Sequence, residues 1–156
     1  MSERETRGRE TAETEVPAKG RLMWNAAFCR TCRVCEQACS ISHEGVARPA
    51  VARINVFFDE FATQNEMIRA VYCLQCDDAP CMAACPNDAM RRDLSTGAVI
   101  VMEENCTGCM RCRKACEWKV PKLHPERKVS LKCDLCLGRV EGPACVQFCP
   151  VVGKAL

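Results

Sequence analysis

Aromatic side chains make up only 5% of this 156-residue chain, and histidine occurs twice. Ordinary cores lean on aromatic bulk, so a chain this poor in it needs another source of cohesion. Neither a G-x-G-x-x-G run nor a P-loop occurs, which removes the usual nicotinamide, flavin and nucleotide sites. No run of about 18 apolar residues is present, so no segment is expected to span a membrane. Lysine and arginine nowhere interleave with aromatics in the manner of a nucleic-acid footprint, and no nucleic-acid partner is expected. The start, Met1-Ser-Glu-Arg-Glu, lacks the apolar stretch of a secretory signal, so the expected compartment is the reducing cytoplasm.

What the chain has in abundance is cysteine. Sixteen occur, as Cys29-Cys32-Cys35-Cys39, Cys73-Cys76-Cys81-Cys85, Cys106-Cys109-Cys112-Cys116 and Cys133-Cys136-Cys145-Cys149. Every group opens with C-x-x-C and closes with C-x-x-x-C, and groups one and three carry the full C-x2-C-x2-C-x3-C run of bacterial ferredoxins. In that run three thiolates hold one 4Fe-4S cube and the fourth reaches its neighbour. Structural zinc joins two separated C-x-x-C pairs and has no use for a third cysteine at the same short spacing. A disulfide framework conflicts with the reducing compartment. No triple has the C-x3-C-x2-C spacing of a radical-generating cluster. Four groups thus predict four 4Fe-4S clusters, with all sixteen cysteines as ligands, and an electron carrier.

The cysteine groups divide the chain into two small lobes, neither able to bury much apolar surface. Below about 70–80 residues a fold generally needs staples, and the cubes supply them, so cluster binding is folding energy. The formal charge of +2 counts thiols as neutral. Each cube with its four thiolates carries about −2, which brings the loaded protein to about −6. Residues 1–20 mix both charge signs with almost no apolar side chains and read as a flexible tail. Arg21 to Phe28 reads as a strand with Trp24 and Phe28 in the core. Cys35 to Ile41 starts a helix, while Arg53 to Phe58 and Ile68 to Tyr72 read as strands. Met90 to Met102 reads as a hairpin turning at Leu94-Ser-Thr-Gly97, and Pro86 ends the second cluster helix or turn. Lys119 to Arg127, with Pro121 and Pro125, reads as a connector, and Ser130 to Lys132 leads into group four. Only seven residues follow Cys149, and no further domain is expected there.

The residues around the cysteines resemble the four-cluster ferredoxin-like electron-transfer subunits of molybdenum and tungsten oxidoreductases. Cys73-Leu-Gln-Cys-Asp-Asp-Ala-Pro-Cys-Met-Ala-Ala-Cys-Pro86 is similar to that family's second motif. Glu104-Asn-Cys-Thr-Gly-Cys-Met-Arg-Cys-Arg-Lys-Ala-Cys116 is similar to its third, and the run from Lys132 to Pro150, with Glu141-Gly-Pro-Ala144, to its fourth. The resemblance implies an α+β fold of two bacterial-ferredoxin-like lobes, each binding two clusters, with short strands and short helices. It implies an outer lobe of 21–65 and 127–156 around an inner lobe of 66–126. One outer cube would take Cys29, Cys32, Cys35 and Cys149, and the other Cys133, Cys136, Cys145 and Cys39. The inner cubes would take Cys73, Cys76, Cys81 and Cys116, and Cys106, Cys109, Cys112 and Cys85. Ser40 and Glu117 stand where the family has proline after the fourth cysteine, the gap from Cys136 to Cys145 is short, and long insertions and a C-terminal membrane helix are missing. This compactness, with Cys39-Ser-Ile-Ser-His-Glu-Gly45, is similar to the small subunits accompanying tungsten aldehyde oxidoreductases.

The partners implied are a catalytic molybdopterin or tungstopterin subunit and a flavin-containing or other acceptor subunit. Self-association into a longer wire is a further expectation. The same wire could instead serve a formate dehydrogenase or hydrogenase, or act as a free polyferredoxin shuttle. No catalytic residue is expected, because every thiol is committed to iron and no triad partner accompanies either histidine. His43 and His124 read as surface or partner contacts. Arg30, Arg33, Arg111, Arg113 and Lys114 read as counter-charge to the cubes, either solvated or near enough to the sulfurs to raise potentials.

Overall fold

Proximity of cysteines in sequence leaves little room for long elements, and those in the computed structural model are short. It describes residues 20–63, 66–151 and 155–156; the expected tail lies outside them except for Gly20. The longest helix, α1 (Val34–Glu44), starts directly after the left-handed Arg33 (φ 58°). It runs past Cys39, because nothing in Ser40-Ile-Ser-His-Glu forbids helix, and stops at Gly45. There φ is 71° and the amide donates to the Ile41 carbonyl, a glycine C-terminal cap. Thus glycine five residues further on ends the helix that proline would have stopped after Cys39.

Strands β1 (Asn55–Phe58) and β2 (Ile68–Val71) pair antiparallel, Asn55 opposite Val71 and Phe58 opposite Ile68. The helix α2 (Pro80–Ala83) carries Cys81, with Pro80 at its first position where no amide is needed. Strands β3 (Met90–Arg92) and β4 (Val99–Val101) form the expected hairpin. Asp93 closes its turn by accepting hydrogen bonds from the Ser95 and Thr96 hydroxyls and the Thr96 amide. The helix α3 (Arg111–Ala115) comes next, then β5 (Lys122–Leu123) pairs with β6 (Ser130–Leu131), and α4 (Ala144–Gln147) carries Cys145. The two-residue β5 lies inside what reads in sequence as a connector, and β6 in the run leading into group four.

Helix α1 packs on α4, and α2 on α3. The strands and helices make the α+β ferredoxin-like fold. Sulfur is a large part of each core. Leu22, Ala52, Ile54 and Val56 cluster with Cys35, Cys39, Cys73, Cys133 and Cys145, and Ala79, Met90 and Val99 with Cys112. The expected strand at Arg21 to Phe28 is absent. Its backbone meets another segment where the Asn25 amide donates to the Ala155 carbonyl, and then turns. The Asn25 side chain accepts the Ala27 amide in that turn, an Asx arrangement that competes with extended backbone. Leu22 is buried in place of the expected pair; Trp24 is half-buried and Phe28 is exposed.

Candidate iron–sulfur centres

A thiolate loop around a cluster must turn tightly, and the four loops do so alike. The residue two after the first cysteine is left-handed in each: Thr31 (φ 52°), Gln75 (51°), Gly108 (66°) and Leu135 (60°). In two of the loops the bent residue's own amide faces sulfur. The Gln75 and Leu135 amides point at the Cys73 and Cys133 sulfurs, 3.5 and 3.4 Å away. A second left-handed residue, two before the third cysteine, starts the helix in three groups: Arg33, Ala79 and Met110. In the fourth, Pro143 stands there in extended backbone (φ −63°).

Further amides reach sulfur from other segments. Arg53 donates to Cys39 (3.2 Å), Ala89 to Cys85 (3.3 Å), Ser130 to Cys106 (3.3 Å) and Ala144 to Cys136 (3.4 Å). Hydrogen bonds aimed at ligand sulfur favour the more negative state and are a recognised lever on cluster potential. Two cavities have four cysteines each on their walls. One is lined by Cys73, Cys76, Cys81 and Cys116, the other by Cys85, Cys106, Cys109 and Cys112. Each combines three sulfurs of one group with the fourth of another. Cys39, Cys133 and Cys145 share the larger core cluster with Cys35, with Cys29 packed against it.

The donor chemistry fits a cationic guest. Burial pushes the Cys35 and Cys133 thiols up to about 12, the neighbouring Glu36 and Asp134 carboxylates adding to it. Burial likewise raises Cys81, Cys112 and Cys145. Buried thiols so close together resist ionising unless a bound cation reverses the sign of the local field. Iron does that, and sulfur quartets lining a common cavity are what a cubane requires.

The 4Fe-4S dicluster domain family matches residues 64–156. This chain belongs to that family. It is similar to the aliphatic sulfonate oxidoreductase polyferredoxin-like subunit of Pyrococcus furiosus, at 42% identity over 80% of this chain and 68% of the relative. The putative electron transport protein YsaA of Escherichia coli K12 is 39% identical over 86% of both chains. The electron transport protein HydN of the same organism is 34% identical over 83% of this chain and 82% of its own. The chain is accordingly an iron–sulfur electron-transfer subunit rather than a catalyst, with cysteines for four 4Fe-4S clusters. Among the described residues no helix is long and apolar enough to cross a membrane.

One sequence expectation changes around the cysteines, and the solvated alternative holds for the basic residues between them. The histidines are internal, not surface contacts. His43 donates from Nδ1 to the Cys39 carbonyl (2.8 Å) and from Nε2 to Asp134 (2.9 Å), and Arg53 donates to the other Asp134 oxygen at 2.6 Å. Burial disfavours a charged His43, but its hydrogen bonds to Asp134 and Cys39 outweigh that and raise its pKa to about 10. His124 is 1% exposed, and its Nδ1 accepts the Glu126 and Arg127 amides, holding the turn before β6. The arginines and lysine between ligands are exposed: Arg33 pairs with Glu36, and Arg113 donates to the Lys119 and Pro121 carbonyls. Three further buried polar residues carry no sequence signal. Glu36, Gln75 and Lys132 are 0, 0 and 3% exposed. Only their neighbours in space distinguish them from solvated residues.

Proposed function

We propose that the chain relays single electrons between a catalytic molybdopterin or tungstopterin subunit and a downstream flavin or other acceptor subunit. The ligand sets are Cys29, Cys32, Cys35 with Cys149; Cys133, Cys136, Cys145 with Cys39; Cys73, Cys76, Cys81 with Cys116; and Cys106, Cys109, Cys112 with Cys85. Residues 66–126 form the inner lobe and 21–65 with 127–156 the outer one. The observation that carries this reading is the pair of cavities, each walled by four cysteines from two sequence groups. The packing of α1 on α4 brings groups one and four together in the same sense.

The catalytic partner is a tungsten enzyme that oxidises an aldehyde, as the compact motif-one region suggests. A specific observation favours a second substrate class: the Pyrococcus furiosus relative is named for an aliphatic sulfonate oxidoreductase. Anaerobic purification from the native cell, with mass spectrometry of whatever stays bound, tests the proposal. The expected result is about 16 iron per chain and a stoichiometric pterin-containing subunit whose substrate, aldehyde or sulfonate, reduces the cubes. Zinc without sulfide would reject the clusters. A loaded chain with no bound subunit would leave a free shuttle.

A further inference from the structure

Lys132 is a buried ammonium without an ordinary partner. Its Nζ donates to the backbone carbonyls of Val99 in β4 and of Cys133, the latter at 2.9 Å. Among the described residues no ion pair includes it. A second cavity beside it has Glu103 and Asp134 on its walls, but these are engaged by Arg127 and Arg53. An isolated buried charge costs several kcal/mol unless an anion offsets it (about that size for each ion after relaxation). Two backbone carbonyls supply hydrogen bonds and no net charge.

The anion is supplied by the cavity that Lys132 itself lines, the one walled by Cys73, Cys76, Cys81 and Cys116. On its other side Lys132 adjoins Cys133, whose sulfur belongs to the larger core with Cys39 and Cys145. Gln75 stitches the same place. Its Nε2 donates to the Cys133 carbonyl and its Oε1 accepts the Val99 amide, both at 2.9 Å. Gln75 and Lys132 therefore clamp the same two residues from a seam between groups two and four.

We propose that Lys132 is a fixed counter-charge shared by two cubes across this seam, one on Cys73, Cys76, Cys81 and Cys116 and one on Cys133, Cys136, Cys145 and Cys39, and that it holds their reduction potentials above those of the outlying cubes. The proposal rests on the ligand sets assigned under the electron-relay reading. Reduction adds one electron to a cube, taking it with its thiolates from about −2 to about −3, and the neighbouring cube that gave the electron is oxidised. No bond or proton moves. A positive charge favours the more reduced state, so electrons entering from either end settle at the seam.

Potentiometric titration of the anaerobic protein followed by EPR tests this, with iron counted on every sample. Lys132→Gln keeps a donor and removes the charge. It should lower the reduced-to-oxidised ratio of the two seam cubes about tenfold at fixed potential, equivalent to 59 mV for a one-electron couple, and move the other two much less. Lys132→Arg should stay within about threefold of the unaltered protein, on the same scale. A fully iron-loaded Lys132→Gln with unmoved potentials, or with all four shifted equally, would overturn the proposal. So would a Lys132→Arg that shifts as far as Lys132→Gln. If Lys132→Gln fails to hold iron, Gln75→Glu places a negative charge at the same seam and should lower the same two cubes; no shift overturns the proposal. If neither variant loads, the unaltered protein decides. Its first two electrons should occupy adjacent cubes and give a spin-coupled signal, and two uncoupled signals would refute it. Absence of iron from the unaltered protein would instead sink the ligand sets.

Discussion

Gly108→Ala isolates how closely the third ligand loop is built. Gly108 lies between Cys106 and Cys109 with φ at 66°, and a Cβ there would sit 2.0 Å from the Lys128 carbonyl oxygen and 3.0 Å from its carbon. Gly45 is the matched control, since it has nearly the same φ (71°) and nothing within 4 Å of the added carbon. A left-handed alanine costs about 1–2 kcal/mol, which is the whole cost at Gly45. At Gly108 backbone must also move, and forced overpacking adds about 1–3 kcal/mol. The total is about 2–5 kcal/mol, and about 1.4 kcal/mol is a tenfold change. Cluster loss is irreversible, so the useful measure is a rate. Anaerobic bleaching of the visible iron–sulfur absorbance in mild denaturant should speed up no more than about thirtyfold for Gly45→Ala. For Gly108→Ala it should be about tenfold faster again, or the protein should emerge with about 12 iron in place of 16. A Gly108→Ala protein with full iron that bleaches no faster than Gly45→Ala would refute the packing argument.

Two other substitutions probe buried carboxylates. Glu36 accepts the Val56 amide at 2.6 Å and Arg33 at 2.7 Å, tying α1 to the outward edge of β1. Glu36→Ala leaves that amide unpaired and should destabilise by about 2–3 kcal/mol, against about 1 kcal/mol for Glu36→Gln, read as denaturant-driven bleaching rates of the loaded protein. Arg127 hydrogen-bonds Glu44 at the end of α1 and holds its carboxyl below the usual range, while also meeting Glu103 after β4. A depressed carboxylate stabilises above the unfolded value of about 4.3 and loses that contribution as pH falls through the folded one. The advantage of the unaltered protein over Glu44→Gln in bleaching rate should therefore be full at pH 7 and shrink as pH drops below that range; a gap that widens on acidification would contradict the pairing.

The cysteine groups and the two longer hairpins are legible in sequence for a local reason. Thiolate spacing and strand alternation are properties of a few consecutive residues, and the Met90 to Met102 turn announces itself through Ser95, Thr96 and Gly97. The pairing of β5 with β6 is not legible, because two-residue strands, one of them between Pro121 and Pro125, have no period to detect. Leu22 replaces Phe28 in the core because the Asn25 turn, a single side-chain hydrogen bond, rotates the next residues outward. Lys132 is the clearest case of information held only in space. A lysine beside a cysteine reads as solvated charge until β4 and the second ligand loop close over it. His124 is similar: flanked by proline, it reads as an exposed loop residue, yet two amides of its own turn fix it inside.

The contact of α1 with α4 joins segments separated by roughly 100 residues, whereas α2 and α3 meet across a single hairpin. Long closures are slow to form and short ones fast. On a ribosome, the middle of the chain is translated before Cys145 and Cys149, which the proposed ligand sets join to Cys39 and Cys35. Under the proposed ligand sets, assembly is expected to run from the centre outward, with the outermost sulfurs the last to receive iron.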